Sequence, residues 1–240
     1  MTRRAALFGA SGGIGAALAE QLCADPQWDE VWLGARQQPL ITTPTARAFA
    51  FDSDDEASLI AAAQQIGAGG ALDLVFVATG LLHRSGLPPP EKSYRALDGA
   101  AMAELYRVNA IGPALIAKHL LPLLPRSRRA VFAVLSARVG SISDNRLGGW
   151  HSYRAAKAAL NMLVANFAIE CRRSHPLAVI AALHPGTVDT ALSAPFQRGL
   201  PDGQVQPPAA AAAALLATLA RLTPDQSGGL YAWDGTRLPW

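Results

Sequence analysis

The chain lacks the features of a secreted, metal-stabilised or membrane-spanning protein. Its 240 residues include two cysteines, Cys23 and Cys171, which form no CxxC or Cys/His spacing. This argues against a disulfide framework and a zinc site, so we expect two buried free thiols in a reducing cytoplasm. No apolar run reaches the roughly 18 residues that a membrane-spanning helix requires, and the apolar run before Gly9 is too short for a signal peptide. We therefore expect a cytoplasmic protein without a membrane segment.

Basic charge is not concentrated in any one region of the sequence. Lys and Arg number 21 against 18 acidic residues, which gives a formal net charge of +3. The arginines at 126–129 and 172–173 fall near predicted helix ends, where they complement the helix dipole and stay in water. Since no basic stripe forms, we expect no nucleic-acid partner. The five histidines are scattered, which disfavours a metal site.

Apolar runs of strand length alternate with helical patterns along the whole chain. We expect strands at residues 5–8, 31–33, 46–51, 72–78, 130–136, 177–183 and 229–233. This alternation predicts right-handed βαβ crossovers, and hence an α/β fold with a doubly wound parallel sheet of about seven strands and helices on both faces. Because no repeat or linker is visible, we expect residues 1–240 to form a single domain. Helical patterns also cover residues 100–121 and 152–171, and Pro113 predicts a kink in the first.

A glycine-rich segment connects the first predicted strand to the first predicted helix. It has the sequence Gly9-Ala10-Ser11-Gly12-Gly13-Ile14-Gly15. Backbone N–H groups in such a turn can approach a pyrophosphate at the positive end of a helix. The alternative is a glycine-rich turn without a ligand, and the position of the segment between strand and helix favours the nucleotide.

The end of the second predicted strand indicates which nucleotide is bound. An acidic residue there would bind a ribose 2′-hydroxyl, whereas an arginine suits a 2′-phosphate. This chain has Arg36, followed by Gln37 and Gln38. The guanidinium fork matches phosphate oxygens, so we predict NADP(H) in preference to NAD(H). The alternative is that Arg36 is only a solvated loop residue.

Tyr153 and Lys157 lie four positions apart in a predicted helix, so their side chains share one face. The spacing is expected by chance roughly 0.05 times in a chain of this composition. A nearby ammonium favours the phenolate, so we expect Lys157 to lower the pKa of Tyr153. A phenol with a lowered pKa is a better general acid and base near neutral pH.

Together with three further motifs, these residues resemble the short-chain dehydrogenase/reductase family over essentially the full chain. The further motifs are Ala78-Thr79-Gly80 after the fourth strand, Asn109 in the following helix, and Pro185-Gly186-Thr187-Val188-Asp189-Thr190 after the sixth strand. Residues 78–83, 139–145 and 234–240 resemble the C-factor-like branch, which includes carbonyl reductases of the sniffer type. The resemblance implies a Rossmann-like NAD(P)-binding domain.

The resemblance also implies roles for individual residues. Tyr153 would donate a proton to a carbonyl oxygen as hydride arrives from nicotinamide, or remove it in the reverse reaction. Lys157 would lower the pKa of Tyr153 and bind the nicotinamide ribose, and Asn109 would hold a water that links Lys157 to solvent. The implied cofactor-binding residues are Gly9, Ser11, Gly12, Gly13, Ile14, Gly15, Arg36, Asp52, Ala78, Thr79, Gly80, Asn109, Tyr153, Lys157, Pro185, Gly186, Thr187, Val188 and Thr190.

Three departures from the family pattern bear on the site. Phe8 replaces the usual Thr before the first glycine, and Val77-Ala78-Thr79-Gly80 replaces the usual Asn-Asn-Ala-Gly. The usual substrate-binding Ser falls on Ala137. We predict that Ser136 takes its catalytic place, although a one-residue offset on a strand turns a side chain to the other face. A role for Ser141, or no serine at all, are the alternatives.

The prediction for function is an NADP(H)-dependent oxidoreductase that reduces a carbonyl to an alcohol, or the reverse. The substrate is expected to be a small or medium apolar molecule under a lid formed by residues 191–207. A nucleotide-binding signalling or regulatory protein with little turnover is the alternative, and a pure interaction module must leave the glycine-rich turn unexplained. Helices 100–121 and 152–171 are the candidate surfaces for a homo-oligomer.

Overall fold

The computed structural model describes residues 2–36, 43–201 and 203–240. Ten strands and six α-helices follow in chain order: β1 (Arg4–Phe8), α1 (Gly13–Ala24), β2 (Glu30–Ala35), β3 (Ala46–Ala50), α2 (Glu56–Gly67), β4 (Leu74–Val77), α3 (Gly99–Tyr106), α4 (Gly112–Leu120), β5 (Ala130–Leu135), α5 (His151–Ser174), β6 (Ala178–His184), β7 (Thr187–Val188), β8 (Val205–Gln206), α6 (Pro208–Arg221), β9 (Gly229–Ala232) and β10 (Arg237–Leu238).

Eight of these strands form one sheet in the order β10-β9-β6-β5-β4-β1-β2-β3. All neighbouring pairs are parallel except β9 and β10, which are antiparallel. The predicted doubly wound parallel sheet is confirmed, with one strand more than expected because the two-residue β10 adds an edge. The strands β7 and β8 pair separately as a short parallel ribbon.

The strand order reverses direction at β1. The strands β2 and β3 extend the sheet on one side of β1, and β4, β5 and β6 extend it on the other. At such a reversal the loops after β1 and β4 diverge, which opens a crevice at the carboxyl ends of the strands. The glycine-rich segment, Arg36, Thr79 and the segment after β5 all follow strand carboxyl ends, so the fold brings these sequence-predicted residues to one edge.

Helices cover both faces of the sheet, so the central strands are buried on both sides. Two successive residues of β5 illustrate this. Phe132 packs with α5 residues such as Leu160, whereas Ala133 packs on the opposite face, with α1 and α6. Continuous apolar runs are typical of strands with two buried faces. Phe8 packs edge-on against Phe49 and Phe51, at ring-centroid distances of 5.1 and 5.0 Å. The residue that replaces the family's usual Thr therefore belongs to the core.

The predicted helix at residues 100–121 is interrupted, although not at Pro113 itself. Residues Arg107–Ile111 form a π-helical turn between α3 and α4, in which the N–H of Gly112 donates to the carbonyl of Arg107. Pro113 is the second residue of α4, where a missing N–H breaks no hydrogen bond within the helix. The irregularity therefore precedes the proline and contains Asn109.

Two further structural findings concern the classes of protein considered from the sequence. No helix of the described residues has the length and apolar character to cross a membrane. Within the same ranges, no group of three or more His, Cys, Asp or Glu side chains converges on a possible metal site.

Both cysteines are free thiols; Cys171 is buried, whereas Cys23 is half-buried. Pairing of copies through the helices at 100–121 and 152–171 stays a prediction.

Candidate active site

The glycine-rich segment forms a tight turn that leaves no room for side chains on its inner side. A Cβ on Gly15 would collide with the carbonyl oxygen of Gly9, and one on Gly13 would lie 2.6 Å from the Thr190 methyl group. The helix α1 begins here with Gly12 as its N-cap, with no side-chain cap and no acidic residue in its first turn. Its first N–H groups and the positive end of its dipole thus suit a phosphate group.

A cavity of about 340 Å³ lies beside this turn, and we name it the adenosine-side cavity. Arg36, Asp52, Arg84 and Arg107 are among its lining residues. Glu104 pairs with Arg84 and with Arg107, and Arg107 also contacts Asp54. Arg36 is exposed and makes no ion pair within the described residues, so its charge is available to an anion. Gln37 and Gln38 lie outside the described residues.

A second cavity, of about 280 Å³, continues from the glycine-rich turn towards α5, and we name it the nicotinamide-side cavity. It is lined by Gly12 to Gly15, Ser136, Tyr153, Lys157, Pro185 and Thr190. Ala78, Thr79 and Gly80 line both this cavity and the adenosine-side cavity, so they mark one continuous path. The Thr79 hydroxyl is buried on that path with no hydrogen-bond partner among the described residues. The donors and the open glycine turn fit a dinucleotide.

Tyr153 and Lys157 lie together on α5 and are both buried, at 7% and 2% exposure. The Lys157 ammonium lies 5.8 Å from the centroid of the Tyr153 ring and donates to the Leu135 carbonyl (Nζ···O 2.8 Å). Burial lowers the pKa of Lys157 to about 7, and burial raises the pKa of Tyr153 above its ordinary value. The expected lowering of the Tyr153 pKa is thus not found, because loss of water outweighs the attraction of the cation at this distance.

Asn109 connects the loop after β4 to the π-helical turn. Its amide donates to the carbonyls of Leu81 and Leu105, at 2.7 and 2.9 Å, and its side-chain oxygen accepts from the Leu81 N–H at 3.1 Å. A Cβ on Gly80 would lie 3.5 Å from that oxygen and 3.8 Å from Lys157 Nζ, so Gly80, Asn109 and Lys157 lie close together. Asn109 therefore fixes the loop next to Lys157, and its predicted contact with water stays a prediction.

The three candidates for the substrate-binding serine differ in their surroundings. The Ser136 hydroxyl is buried and donates to Asn161 Oδ1 at 2.6 Å, while Asn161 donates to the Gly140 carbonyl at 3.2 Å. Its one proton is thereby directed away from any substrate. Ala137, at the position the family pattern assigns to serine, packs against the small apolar cluster of Leu82, Leu105 and Tyr153. Ser141 lines none of the cavities at Tyr153 and accepts from the Asp144 N–H. The catalytic role of Ser136 stays a prediction.

A third cavity, of about 320 Å³, adjoins the nicotinamide-side cavity and shares Tyr153 with it, and we name it the substrate-side cavity. Its walls come mainly from apolar residues of the segments after β4, β5 and β6. Gly186, Thr187 and Val188 line this cavity, whereas Pro185 and Thr190 line both it and the nicotinamide-side cavity. Leu192, Phe196 and Leu200, from the segment predicted to form a lid, line this cavity, and a role of that segment as a lid stays a prediction.

Sequence reasoning did not single out Glu91 or His184, and it left Trp150 without a role. Trp150 and His184 line the substrate-side cavity. Glu91 is 6% exposed and accepts hydrogen bonds from Ser152 at the start of α5. The glycines before Trp150 signal a turn, but nothing in the sequence links Glu91 to residues 61 positions away.

The reversal of strand order, the glycine-rich turn and the Tyr153–Lys157 pair are together typical of a Rossmann-like oxidoreductase. A family model described as short chain dehydrogenase matches residues 3–200, and the chain belongs to that family. It is 33% identical over 144 residues to C-signal of Myxococcus xanthus, covering 60% of this chain and 81% of that protein. It is also 33% identical over 172 residues to a 1-hydroxy-2-glutathionyl-2-methyl-3-butene dehydrogenase of Rhodococcus sp. (strain AD45), covering 72% of this chain and 70% of that protein.

Solved structures give the same fold. An NADPH-bound carbonyl reductase from chicken fatty liver superposes with a TM-score of 0.84 at 25% identity, over 100% of this chain and 94% of that one. The carbonyl reductase Sniffer of D. melanogaster superposes with a TM-score of 0.85 at 20% identity, over 100% of both chains. The predicted family and its likeness to the C-factor and sniffer branch are confirmed.

Proposed function

We propose that this protein is an NADP(H)-dependent carbonyl reductase, or an alcohol dehydrogenase in the reverse direction, with Tyr153 as acid and base. One observation carries the proposal: Tyr153 lines both the nicotinamide-side and the substrate-side cavity, so its side chain borders the places that the cofactor and the carbonyl compound would occupy. The NADPH-bound carbonyl reductase of chicken supports the same chemistry by its similarity.

The residues that would hold the cofactor follow the continuous path of the two cavities. The N–H groups at the start of α1 would bind the pyrophosphate, and Arg36 would pair with the 2′-phosphate and so favour NADP(H) over NAD(H). The Thr79 hydroxyl, which has no hydrogen-bond partner among the described residues, would form a hydrogen bond with the dinucleotide. The bound nicotinamide supplies or accepts the hydride.

Proton transfer falls to Tyr153. In reduction, the phenol donates its proton to the carbonyl oxygen, and the raised pKa keeps the phenol protonated beforehand. Lys157, anchored on the Leu135 carbonyl, places its nitrogen beside the phenol and the predicted site of the nicotinamide ribose. As negative charge develops on the phenol, a protonated Lys157 stabilises it. Asn109 holds the adjoining loop in place.

The proposal treats residues 1–240 as one domain, which the main sheet supports because its strands extend from Arg4 to Leu238. The alternative, a regulatory protein with little turnover, draws on the likeness to C-signal and on Ala137. The buried pair of Tyr153 and Lys157 between two cavities favours the enzyme.

Replacement of Tyr153 by Phe tests the proposal. We expect kcat to fall by about 10²–10⁴-fold, the contribution of a positioned general acid, while the Kd for NADPH stays within about 2-fold of the wild type. The measurements are NADPH consumption against a panel of aldehydes and ketones, and calorimetric titration with NADPH. Unchanged turnover in Tyr153→Phe would refute the role of Tyr153, and a wild type that consumes no NADPH with any of the panel would favour the regulatory alternative.

A further inference from the structure

We propose that the substrate carries an uncharged, flat aromatic group next to its carbonyl, and that Trp150 selects for this group. The inference rests on the proposed carbonyl chemistry and adds the class of substrate. It is drawn from the walls of the substrate-side cavity, from the backbone of Trp150 and from the charges that face the cavity.

The rings around the cavity contact one another edge to face. Trp150 lies 4.9 Å from Phe196 of the lid segment and 6.3 Å from Tyr153, centroid to centroid, with interplanar angles of 62° and 74°. His83 extends the row, 5.5 Å from Phe196. Trp150 therefore contacts both the proton donor and the lid. A flat group bound at the carbonyl would meet faces and edges of aromatic rings, a favourable arrangement for another aromatic ring.

Trp150 occupies this place with a backbone conformation that large side chains avoid. Its φ and ψ are 49° and 41°, and it is the one non-glycine residue with positive φ in the described part of the chain. The two preceding residues, Gly148 and Gly149, have φ of 61° and 66°. A glycine would adopt this backbone conformation with less strain, so the outlier at Trp150 points to a role for its ring.

Glu91 holds this strained residue through its backbone carbonyl and the start of α5 through its buried side chain. The Trp150 N–H donates to the Glu91 carbonyl at 2.5 Å. The Glu91 side chain accepts from the Ser152 N–H at 3.3 Å and from the Ser152 hydroxyl. Negative charge is favourable at a helix N-terminus, so Glu91 also stabilises the helix that carries Tyr153. The ring of Trp150 is thus fixed relative to the proton donor, as selection by shape requires.

The described walls of the cavity present no uncompensated charge. Besides Tyr153, their ionisable groups are Arg138 and His184. Arg138 donates to Asp144 through two nitrogens, at 2.5 and 3.4 Å. Burial, together with the charge of Arg138, lowers the pKa of His184 to about 4, so its ring is neutral at pH 7. A carboxylate placed here would lose its water without gaining a counter-charge, which disfavours charged substrates.

The test compares three carbonyl compounds with NADPH: acetophenone, 4-acetylbenzoate and butan-2-one. For the wild type we expect kcat/KM to be highest for acetophenone and at least about 10-fold lower for 4-acetylbenzoate, because of the unpaired carboxylate. Trp150→Gly, which suits the left-handed backbone, should lower kcat/KM for acetophenone at least about 10-fold and for butan-2-one less than about 3-fold. Trp150→Phe should recover most of the loss.

Trp240→Gly is the matched control, since it removes an exposed indole that lines none of the three site cavities. Equal losses for both ketones in Trp150→Gly, or equal rates with 4-acetylbenzoate and acetophenone, would overturn the inference. Calorimetric titration of the NADP⁺-saturated protein with acetophenone distinguishes failure of the aromatic-substrate inference from failure of the proposed carbonyl chemistry. Binding that depends on Trp150 without turnover would refute the chemistry and support the inference, and absence of both would refute both.

Discussion

The substitution Ala137→Ser tests how the site works without the family's usual hydroxyl. Ala137 packs against the apolar cluster that contains Tyr153 and lines the substrate-side cavity together with Tyr153. The hydroxyl of the neighbouring Ser136 donates a hydrogen bond to Asn161 Oδ1. A serine at 137 would therefore add a hydrogen-bond donor to the cavity that Tyr153 also lines, without removing the Ser136–Asn161 hydrogen bond.

The size of the effect follows from the worth of one hydrogen bond. A bond between uncharged groups contributes about 0.5–1.5 kcal/mol net, which corresponds to a rise in kcat/KM of about 2-fold to 13-fold. Ser136→Ala should behave differently, because it leaves the buried Asn161 oxygen without its donor. We expect that loss to cost about 1–3 kcal/mol of stability and to lower Tm by about 2–12 °C, with a much smaller effect on turnover.

Steady-state NADPH oxidation with acetophenone and thermal unfolding of both variants give the required measurements. Ser136→Thr is the matched control, since it keeps the hydroxyl that donates to Asn161 and should retain more of the wild-type Tm than Ser136→Ala. A folded Ala137→Ser protein with unchanged or lower kcat/KM would refute the argument. A fall in kcat of more than about 100-fold in Ser136→Ala would instead establish Ser136 as the catalytic serine predicted from the sequence.

Two further predictions concern the cofactor and pH. Arg36→Ala should raise the Kd for NADPH by about 10-fold or more and leave that for NADH within about 2-fold, by calorimetry, and equal changes for both nucleotides would contradict a 2′-phosphate contact. The pKa of Lys157 is lowered from 10.5 to about 7 on folding, so between these values the unfolded chain binds more protons than the folded protein. The free energy of unfolding without cofactor should therefore rise from about pH 7 to about pH 10, and Lys157→Met should remove that rise. A flat wild-type profile in denaturant titrations would contradict the buried ammonium.

The sequence predicts most of the fold, because strands buried on both faces leave long apolar runs and the helices between them keep their periodicity. It misplaces the break in the helical region at 100–121, because the proline is visible whereas a π-helical turn has no residue signature of its own. The extra strand β10 is missed because two residues are too few to show a period.

In the site, motifs with fixed spacing are predicted from the sequence and long-range contacts are not. Tyr153 and Lys157 lie together on α5, as their spacing requires. The choice between Ser136 and Ala137 depends on which way each side chain turns at the end of β5, and only the hydrogen bond to Asn161 shows this for Ser136. The left-handed Trp150 is unexpected from propensity, because Glu91, far away in the sequence, helps to hold it.

The two-residue strand β10 limits how copies of this chain can associate. It closes the β9 side of the sheet with an antiparallel edge, and Pro239, directly after it, has no N–H to offer another strand. So short and interrupted an edge is a poor template for strand addition, which disfavours extension of the sheet on this side; β3 forms the opposite edge. Association of copies through this edge is therefore disfavoured, and the helix-covered faces remain the more suitable surfaces for an assembly.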